Sequence, residues 1–143
     1  MPTGGRIDPY PGYSFTVEIG GITRAAFQEC SGLDSSVELT EYNEGGRNTP
    51  MKLPGLAKFA NISLKWGLTD DPELYQWHRD AVDGQVSRRN GSIVVRDRVG
   101  AELVRWNFFA AWPARWKGPD FNAETSAVAI ETLELAHEGV VRV

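Results

Sequence analysis

Side chains that could perform catalysis or bind a metal are few in this chain and widely separated along it. The two histidines, His78 and His137, are accompanied by no CxxC or HExxH spacing and do not indicate a metal site. Cys30 with His78 and a carboxylate could form a thiol nucleophile, because such partners need not be neighbours in sequence. A small buried hydrophobic residue is the simpler interpretation of Cys30. We therefore expect all three side chains to be structural.

The acidic residues Asp70, Asp71 and Glu73 are the next candidates, as ligands of calcium. A calcium ion takes about six to eight oxygen ligands, and the loop pattern that supplies them is missing. Aspartate before proline, with an acidic residue in the first turn, is instead typical of the start of a helix. Gly20-Gly21 and Gly45-Gly46 match no phosphate-binding pattern and are interpreted as turns.

One segment concentrates basic side chains: Arg88, Arg89, Arg96 and Arg98. Such a stripe can bind phosphate groups, or it can lie along a strand edge and pair with carboxylates. The net charge of −4 favours the second interpretation. In an oligomer the carboxylates could be Glu38, Glu41 or Glu44 of a neighbouring subunit.

No catalytic set is left after these comparisons. The alternating stripe of Trp106, Phe108 and Trp112 is more typical of a core than of a binding cleft. We therefore expect a protein that is not an enzyme, with no cofactor and no metal site.

The composition indicates one folded, soluble domain. The 143 residues are 41% hydrophobic and 24% charged, and the acidic balance argues against a dedicated nucleic-acid binder. No apolar run approaches the about 18 residues of a membrane span, and the N-terminus lacks a signal-peptide pattern. A single cysteine is compatible with folding in the cytoplasm.

The segment from Ser31 to Gly67 shows the plan of the domain, with two strand patterns on either side of a long connection. Val37 and Leu39 alternate with polar neighbours in the first pattern, and Ile62, Leu64 and Trp66 do so in the second. Residues 43–58 between them contain glycines and prolines that argue against a helix or a central strand. The sequence predicts an extended loop here, which needs a partner to dock on.

The remaining residues predict a mainly β domain at 13–143, preceded by a flexible arm at 1–12. Alternating apolar residues predict further strands near 14–19, 22–30, 92–98, 104–112 and 127–143. Pro113 is expected to end the strand at 104–112, and a helix of roughly 10 to 14 residues begins near Pro72. About seven strands and one helix indicate an antiparallel β-sandwich or barrel.

Short motifs follow one another along the chain: SGLD, EYNEGG, KLPG, NISLKWG, DPELYQWH, RRNGSIVV, RWNFFAAWP and AIETLELAHEGV. From Asp8 to Val143 their order resembles the tail tube proteins of contractile phage tails and of phage-tail-like extracellular contractile injection systems. More distantly the chain resembles the tube protein of type VI secretion. The resemblance implies the tail tube protein fold, in hexameric rings that stack into a hollow inner tube.

The same resemblance implies partners and a place of action. A sheath protein would surround the tube, baseplate and spike proteins would meet its end, and cargo protein or DNA would occupy the lumen. The subunit would assemble in the cytoplasm of the producing bacterium and then form part of the phage tail or injection particle.

The resemblance also implies which residues make contacts. The loop at 43–58 would reach a neighbouring subunit or the next ring. Its candidate contact residues are Asn43, Glu44, Arg47, Met51, Lys52, Leu53 and Leu56. Two polar pairs, Ser63 with Lys65 and Arg105 with Asn107, are candidates to line the lumen, and sequence parity does not say which face points inward.

Two alternatives stay open at this point. A baseplate-proximal tube initiator would share the fold and bind a spike or baseplate protein, although the lack of an extra domain favours the repeating subunit. A small-ligand-binding β-barrel would be monomeric, with a pocket and with the loop at 43–58 as its lid.

Overall fold

The computed structural model describes residues 12–20, 22–24, 27–46, 48–124 and 128–143. In this part of the chain it contains ten strands and one helix. The strands are β1 (Ser14–Ile19), β2 (Ile22–Arg24), β3 (Phe27–Ser31), β4 (Ser35–Tyr42), β5 (Met51–Phe59), β6 (Ile62–Gly67), β7 (Arg89–Arg96), β8 (Glu102–Lys117), β9 (Ile130–Ala136) and β10 (Gly139–Arg142). The helix α1 is Glu73–Val82. The prediction of a mainly β chain with one helix is confirmed.

The larger number of strands has two causes. The segments predicted as single strands at 22–30 and 127–143 are each divided, into β2 and β3 and into β9 and β10. In addition, β5 lies where the sequence predicted a loop. The predicted arm, apart from Gly12, lies outside the described residues.

The strands other than β4 and β5 form one antiparallel sheet in the order β2-β1-β7-β8-β9-β6-β3, and β10 flanks β8. The 16-residue β8 belongs to both halves of this sheet, because it pairs with β7 through its first part and with β9 through its last part. We call β2-β1-β7 with the start of β8 the first half, and the end of β8 with β9-β6-β3 the second half.

The long strand β8 changes parity in its middle. Phe108 and Ala111 are both buried, whereas Ala110 has φ 53 and its N–H donates to Asn90 Oδ1 at 2.9 Å. This is a β-bulge, in which one strand gains a residue and bends. The expected end at Pro113 is wrong, since Pro113 is buried at a second register shift and the strand continues to Lys117.

The core lies between the two halves of the sheet. Buried apolar side chains from the first half include Val17, Ile19, Ile22, Ile93 and Phe108, and those from the second include Phe27, Ile62, Leu64, Trp66, Leu133 and Leu135. The helix adds Leu74 and Trp77 to the same cluster. Alternation therefore predicted the inward residues of β1 and β6 correctly, whereas in β7 the buried Ile93 is followed by Val94, which is fully buried as well.

The helix begins and ends with the local signals expected from its sequence. Pro72 is the N-cap residue, and Asp71 Oδ1 accepts a hydrogen bond from the Glu73 N–H at 3.1 Å, so Asp71 pairs one of the free N–H groups of the first turn. At the other end Gly84 has φ 90, and the Gln85 N–H donates to the Asp80 carbonyl at 2.8 Å. A glycine in this conformation ends a helix without steric cost.

The strands β4 and β5 form a separate antiparallel hairpin. The prediction of a loop over residues 43–58 is therefore wrong for residues 51–58, and the connecting loop is 43–50. Pro54 and Gly55 are tolerated because both strands of a two-stranded ribbon are edge strands, and the register shifts between Val37 and Leu39 at this point.

Candidate assembly interface

The β4–β5 hairpin projects from the domain with almost every side chain exposed. All residues of β4 are exposed, and in β5 only Met51 and Phe59 are partly covered. Within the described residues, neither strand makes an extensive contact with any other strand or with the helix. The hairpin is therefore left uncovered by the described part of its own subunit.

Each face of the hairpin carries apolar residues, because paired residues share a face and successive residues alternate. The face that we call the Leu39 face contains Val37, Leu39, Pro54 and Ala57, with Glu41 and Lys52 near the tip. The opposite face, called the Leu53 face, contains Thr40, Tyr42, Met51 and Leu53, with the Glu38–Lys58 pair near the root. Leu56 joins the Leu53 face, since it lies opposite Glu38 at the register shift.

The exposure of these apolar side chains is unusual for a monomer surface. Leu39 is 68% exposed and Leu56 is 73% exposed, and Val37, Tyr42 and Leu53 are exposed as well. A contiguous apolar surface of this kind marks a site of contact with another molecule. Met51, Leu53 and Leu56 lie on one face of the hairpin, and their role as contact residues stays a prediction.

The sequence does not predict the exposure of three apolar residues of the hairpin, Val37, Leu39 and Tyr42. Val37 and Leu39 were interpreted as members of a half-buried strand, and Tyr42 was not singled out. The composition of residues 43–50 could have indicated that Val37, Leu39 and Tyr42 are exposed. Residues 43–50 are too polar to pack over the apolar side chains of β4.

The polar candidates of this segment lie at the tip of the hairpin. Asn43 and Glu44 are exposed in the connecting loop, and Lys52 is exposed opposite Glu41. Arg47 lies outside the described residues. Nearer the root, Lys58 Nζ is 2.6 Å from Glu38 Oε1, an exposed pair across the two strands.

The root of the hairpin is held by backbone contacts and one histidine. The Ala60 N–H donates to the Asp34 carbonyl at 3.3 Å, and Gly32, at φ 92, lies so close to the Asn61 carbonyl that no Cβ would fit. His137 Nε2 is 2.8 Å from the Ala60 carbonyl, and its ring lies 5.8 Å from the ring of Phe59. His137 therefore connects the hairpin to the turn between β9 and β10.

The two pairs predicted as lumen-facing residues lie on different surfaces. Ser63 and Lys65 alternate with buried residues of β6 and face outward from the second half of the sheet. Arg105 and Asn107 alternate with the buried Val104 and Phe108 and face outward from the first half. Because the core separates the two halves, the structure does not bring the two pairs together.

Arg105 and Asn107 are both paired with neighbouring side chains, Arg105 through ion pairs and Asn107 through a hydrogen bond. The guanidinium of Arg105 is 2.7 Å from Glu102 and 3.2 Å from Glu18. Its hydrogen bond to Glu102 lowers the pKa of that carboxyl, and the same bond raises the pKa of Arg105. Asn107 Oδ1 accepts a hydrogen bond from Ser92 Oγ at 2.7 Å.

The basic segment is partly used inside the subunit. Arg89 lies over the ring of Trp77 at 5.3 Å, and Arg96 donates to Thr16 Oγ1 at 3.4 Å and lies 3.9 Å from Glu18. Arg96 therefore pairs along the strands, as the second interpretation of this segment predicted. Pairing of Arg88 or Arg98 with a neighbouring subunit stays a prediction.

The residues considered for catalysis or metal binding have structural contacts. His78 Nδ1 is 3.1 Å from the Pro113 carbonyl, far along the sheet from the thiol of Cys30 on β3. Burial, with a smaller contribution from Glu29, raises the pKa of Cys30 to about 11, so little reactive thiolate forms near neutral pH. No cluster of metal-ligating side chains occurs among the described residues.

Across residues 12–20, 22–24, 27–46, 48–124 and 128–143, no helix has the length and hydropathy required to cross a bilayer.

Comparisons with known proteins agree with the fold. Residues 11–141 match the family model of the T4-like virus tail tube protein gp19. A chain of the cryo-EM structure of an extracellular contractile injection system, the PVC sheath–tube complex in its extended state, is 30% identical, with a TM-score of 0.85 over 94% of this chain and 90% of that one. No curated protein sequence matches the chain.

Two further structures are similar. A chain of the anti-feeding prophage cap, the AFP tube terminating cap, is 27% identical, with a TM-score of 0.86 over 99% of this chain and 95% of that one. Hcp1 from Flavobacterium johnsoniae shares the fold alone, at 18% identity and a TM-score of 0.57 over 90% of this chain and 94% of that one.

Proposed function

This chain belongs to the T4-like virus tail tube protein gp19 family, and we propose that it is the repeating subunit of the inner tube of a contractile injection system or phage tail. Six copies close into a ring, and the rings stack around a lumen that conducts cargo protein or DNA. The observation that carries this proposal is the β4–β5 hairpin, which has apolar residues on both faces and is not covered by the other described residues of its subunit.

The hairpin requires a partner for physical reasons. A two-stranded hairpin without further packing is marginally stable in water. Burying its apolar side chains contributes about 25 cal/mol for each Å² removed from water. Contact with a neighbouring subunit or the next ring supplies that burial, with Met51, Leu53 and Leu56 as anchors and Arg47 and Lys52 as charge partners.

The edges of the sheet support closure into a ring. Among the described strands, β2 and β3 end the sheet and each pairs along one side only. Exposed edges of this kind invite further pairing, and joining them between subunits removes them. A cyclic ring uses a heterologous interface, in which one surface of each subunit meets a different surface of the next.

At most one of the two polar surfaces, that of Ser63 and Lys65 or that of Arg105 and Asn107, lines the lumen, since they lie on opposite sides of the core. We test this with Lys65→Cys and Asn107→Cys, each in a Cys30→Ser chain, by labelling free subunits and assembled tubes with a bulky thiol reagent. One position should lose its reactivity on assembly and the other should keep it. Protection of neither position in the tube would contradict a lumen lined by either surface.

The proposed partners follow from the similar structures. One of these belongs to a sheath–tube complex and another to a tube-terminating cap. By analogy a sheath protein surrounds the tube, and baseplate and spike proteins meet its end. The subunit assembles in the cytoplasm of the producing bacterium before it becomes part of the particle.

The decisive experiment is negative-stain electron microscopy with light scattering at increasing protein concentration. The wild-type chain should form rings and hollow tubes. The variant with Leu53→Asp and Leu56→Asp should stay a folded monomer or ring, because a charge in an apolar contact is costly to bury. Val99→Asp is the matched control, since Val99 is 87% exposed in a turn outside the hairpin, and it should still form tubes.

The outcome separates the candidate functions. Normal tubes from the Leu53→Asp, Leu56→Asp variant would contradict the role of the hairpin. Wild-type rings that stack only after a baseplate or spike protein is added would indicate a tube initiator. A strictly monomeric wild-type chain that binds a small molecule would indicate the ligand-binding alternative.

A further inference from the structure

An apolar groove opens between the two halves of the sheet on the side where β3 ends the second half. Its volume is about 350 Å³, and its lining residues are Tyr13, Phe15, Gln28, Glu29, Cys30, Leu33, Ile93, Val95 and Trp106. Most of these side chains are apolar, and three are aromatic. The groove is thus a gap in the wall of the core that no element of the described chain fills.

The charges at the groove are already satisfied. Glu29, the one acidic side chain among the lining residues, is 3.5 Å from Lys65 Nζ. An apolar occupant can therefore enter without leaving a lone charge away from water, which would be costly.

The Leu53 face of the hairpin has the matching character. It presents Tyr42, Met51, Leu53 and Leu56, and its charged residues, Glu38 and Lys58, are paired at 2.6 Å. The Leu39 face differs, because Glu41 and Lys52 near its tip have no ion pair with each other or with other described residues. The Leu53 face therefore fits an apolar groove better than the Leu39 face, because its charged residues are already paired.

We propose that this groove receives the Leu53 face of the hairpin from a second copy of the chain. The proposal rests on the tube function above and names the surface that accepts the hairpin. The contact is between different surfaces of two copies, so it propagates from subunit to subunit as a ring or a stack requires. The hairpin of the same subunit does not fill the groove, since it projects from the domain without extensive contacts.

The chain contains its own probe for this contact, because its single cysteine, Cys30, lines the groove. We would introduce Leu53→Cys, and separately Leu56→Cys, assemble tubes, and add copper phenanthroline at alkaline pH. The oxidant removes two electrons and two protons from a pair of thiols to form one disulfide. Because the pKa of Cys30 is raised to about 11, the reaction should be faster as the pH increases.

Disulfide formation requires Cβ atoms within about 4.5 Å, so the result reports a specific contact. We expect at least one of the two variants to shift from monomer to covalent dimers and larger oligomers on a non-reducing gel, because every chain carries both cysteines. The dimer should be lost in a Cys30→Ser chain, which excludes a bond between two introduced cysteines. Leu39→Cys is the matched control on the opposite face, and it should give no dimer that depends on Cys30.

Each other result contradicts the docking. Tubes without a Cys30-dependent bond from either position would overturn the groove as the acceptor while leaving the tube function intact. A disulfide within one chain would show that the groove holds the subunit's own hairpin. A Cys30-dependent bond from Leu39→Cys alone would show that the wrong face was chosen. A wild-type chain that forms no rings or tubes would count against the proposed function itself, before any oxidant is added.

Discussion

The strands β6 and β4 carry the same kind of alternating sequence and have opposite surroundings. In β6, Ile62, Leu64 and Trp66 are buried between the two halves of the sheet. In β4, Val37 and Leu39 alternate in the same way and are 55% and 68% exposed. The alternation thus specifies a strand with an apolar face, and what covers that face is decided elsewhere. For β6 the cover is in the same subunit, whereas for the hairpin we infer a neighbour.

Identical substitutions in the two regions should sharpen this contrast most strongly. Leu64→Ala removes a fully buried side chain and should lower the free energy of unfolding by about 2 to 5 kcal/mol. Leu56→Ala should change it by less than about 0.5 kcal/mol, because the side chain is exposed in the free subunit. Urea denaturation of subunits too dilute to assemble measures both.

Leu56→Ala should have a large effect on tube assembly, in contrast to its small effect on the stability of the free subunit. Leu56→Ala removes about 2 kcal/mol of burial at an interface if a neighbour covers the side chain. The concentration at which tubes appear should then increase more than about tenfold. An unchanged onset in light scattering would mean that Leu56 stays exposed in the tube, and the contrast between the two regions would lose its explanation.

Two glycines offer a second comparison. A Cβ at Gly91 in β7 would collide with the ring of Phe108 and with the Glu18 carbonyl, whereas one at Gly45 in the hairpin loop would meet nothing within 4 Å. Gly91→Ala should therefore lower the free energy of unfolding by about 1 to 3 kcal/mol, because a packed core accommodates the added Cβ only by shifting backbone or side chains. Gly45→Ala is the control and should leave the urea midpoint nearly unchanged. Equal midpoints would show that β7 is far more pliable than its packing indicates.

The sequence predicted the regular part of the molecule well. The alternation of Ile62, Leu64 and Trp66, and the signals around Asp71 and Gly84, depend on neighbours in sequence, and the structure contains the strand and the helix. Pro54 and Gly55 led to a wrong loop because their usual exclusion from strands applies to central strands. A ribbon with two free edges relaxes that rule, because neither of its strands is a central strand.

The candidate contact surfaces also differ in how far the sequence could predict them. The apolar residues Met51, Leu53 and Leu56 could be found from composition, because a loop with several large apolar side chains needs cover. The groove beside Cys30 could not be found, since its walls come from β1, β3, β7 and β8, which are distant in sequence. Parity alone also could not show that Lys65 and Arg105 face away from opposite sides of one core.

The contact between His137 and the root of the hairpin joins the two regions. His137→Ala removes the hydrogen bond to the Ala60 carbonyl and the contact with Phe59, and a hydrogen bond of this kind contributes about 0.5 to 1.5 kcal/mol. The cost should appear locally, as faster amide exchange at Ala60, which bonds the Asp34 carbonyl, with little change in β6. His78→Ala, which removes a histidine contact at Pro113 instead, is the control and should leave exchange at Ala60 unchanged. Equal acceleration throughout the sheet would show that the hairpin root and the domain open as one unit.

The smallest expected effect concerns charge on the outer surface of the first half. The hydrogen bond from Arg105 holds the pKa of Glu102 below its ordinary value of 4.5. A carboxyl with a lowered pKa stabilises the folded state above its unfolded pKa, and the contribution is lost as the pH falls through the lower, folded value. Glu102→Gln should therefore reduce the urea midpoint slightly at pH 7, and the difference should disappear as the pH falls below the lowered pKa of Glu102, where both chains carry a neutral group. Glu44→Gln at the hairpin tip is the control, because Glu44 is exposed in the connecting loop, and it should change the urea midpoint by less than Glu102→Gln at pH 7. A larger effect at Glu44 than at Glu102 would mean that the hairpin, and not the domain, holds its charges in fixed pairs in the free subunit.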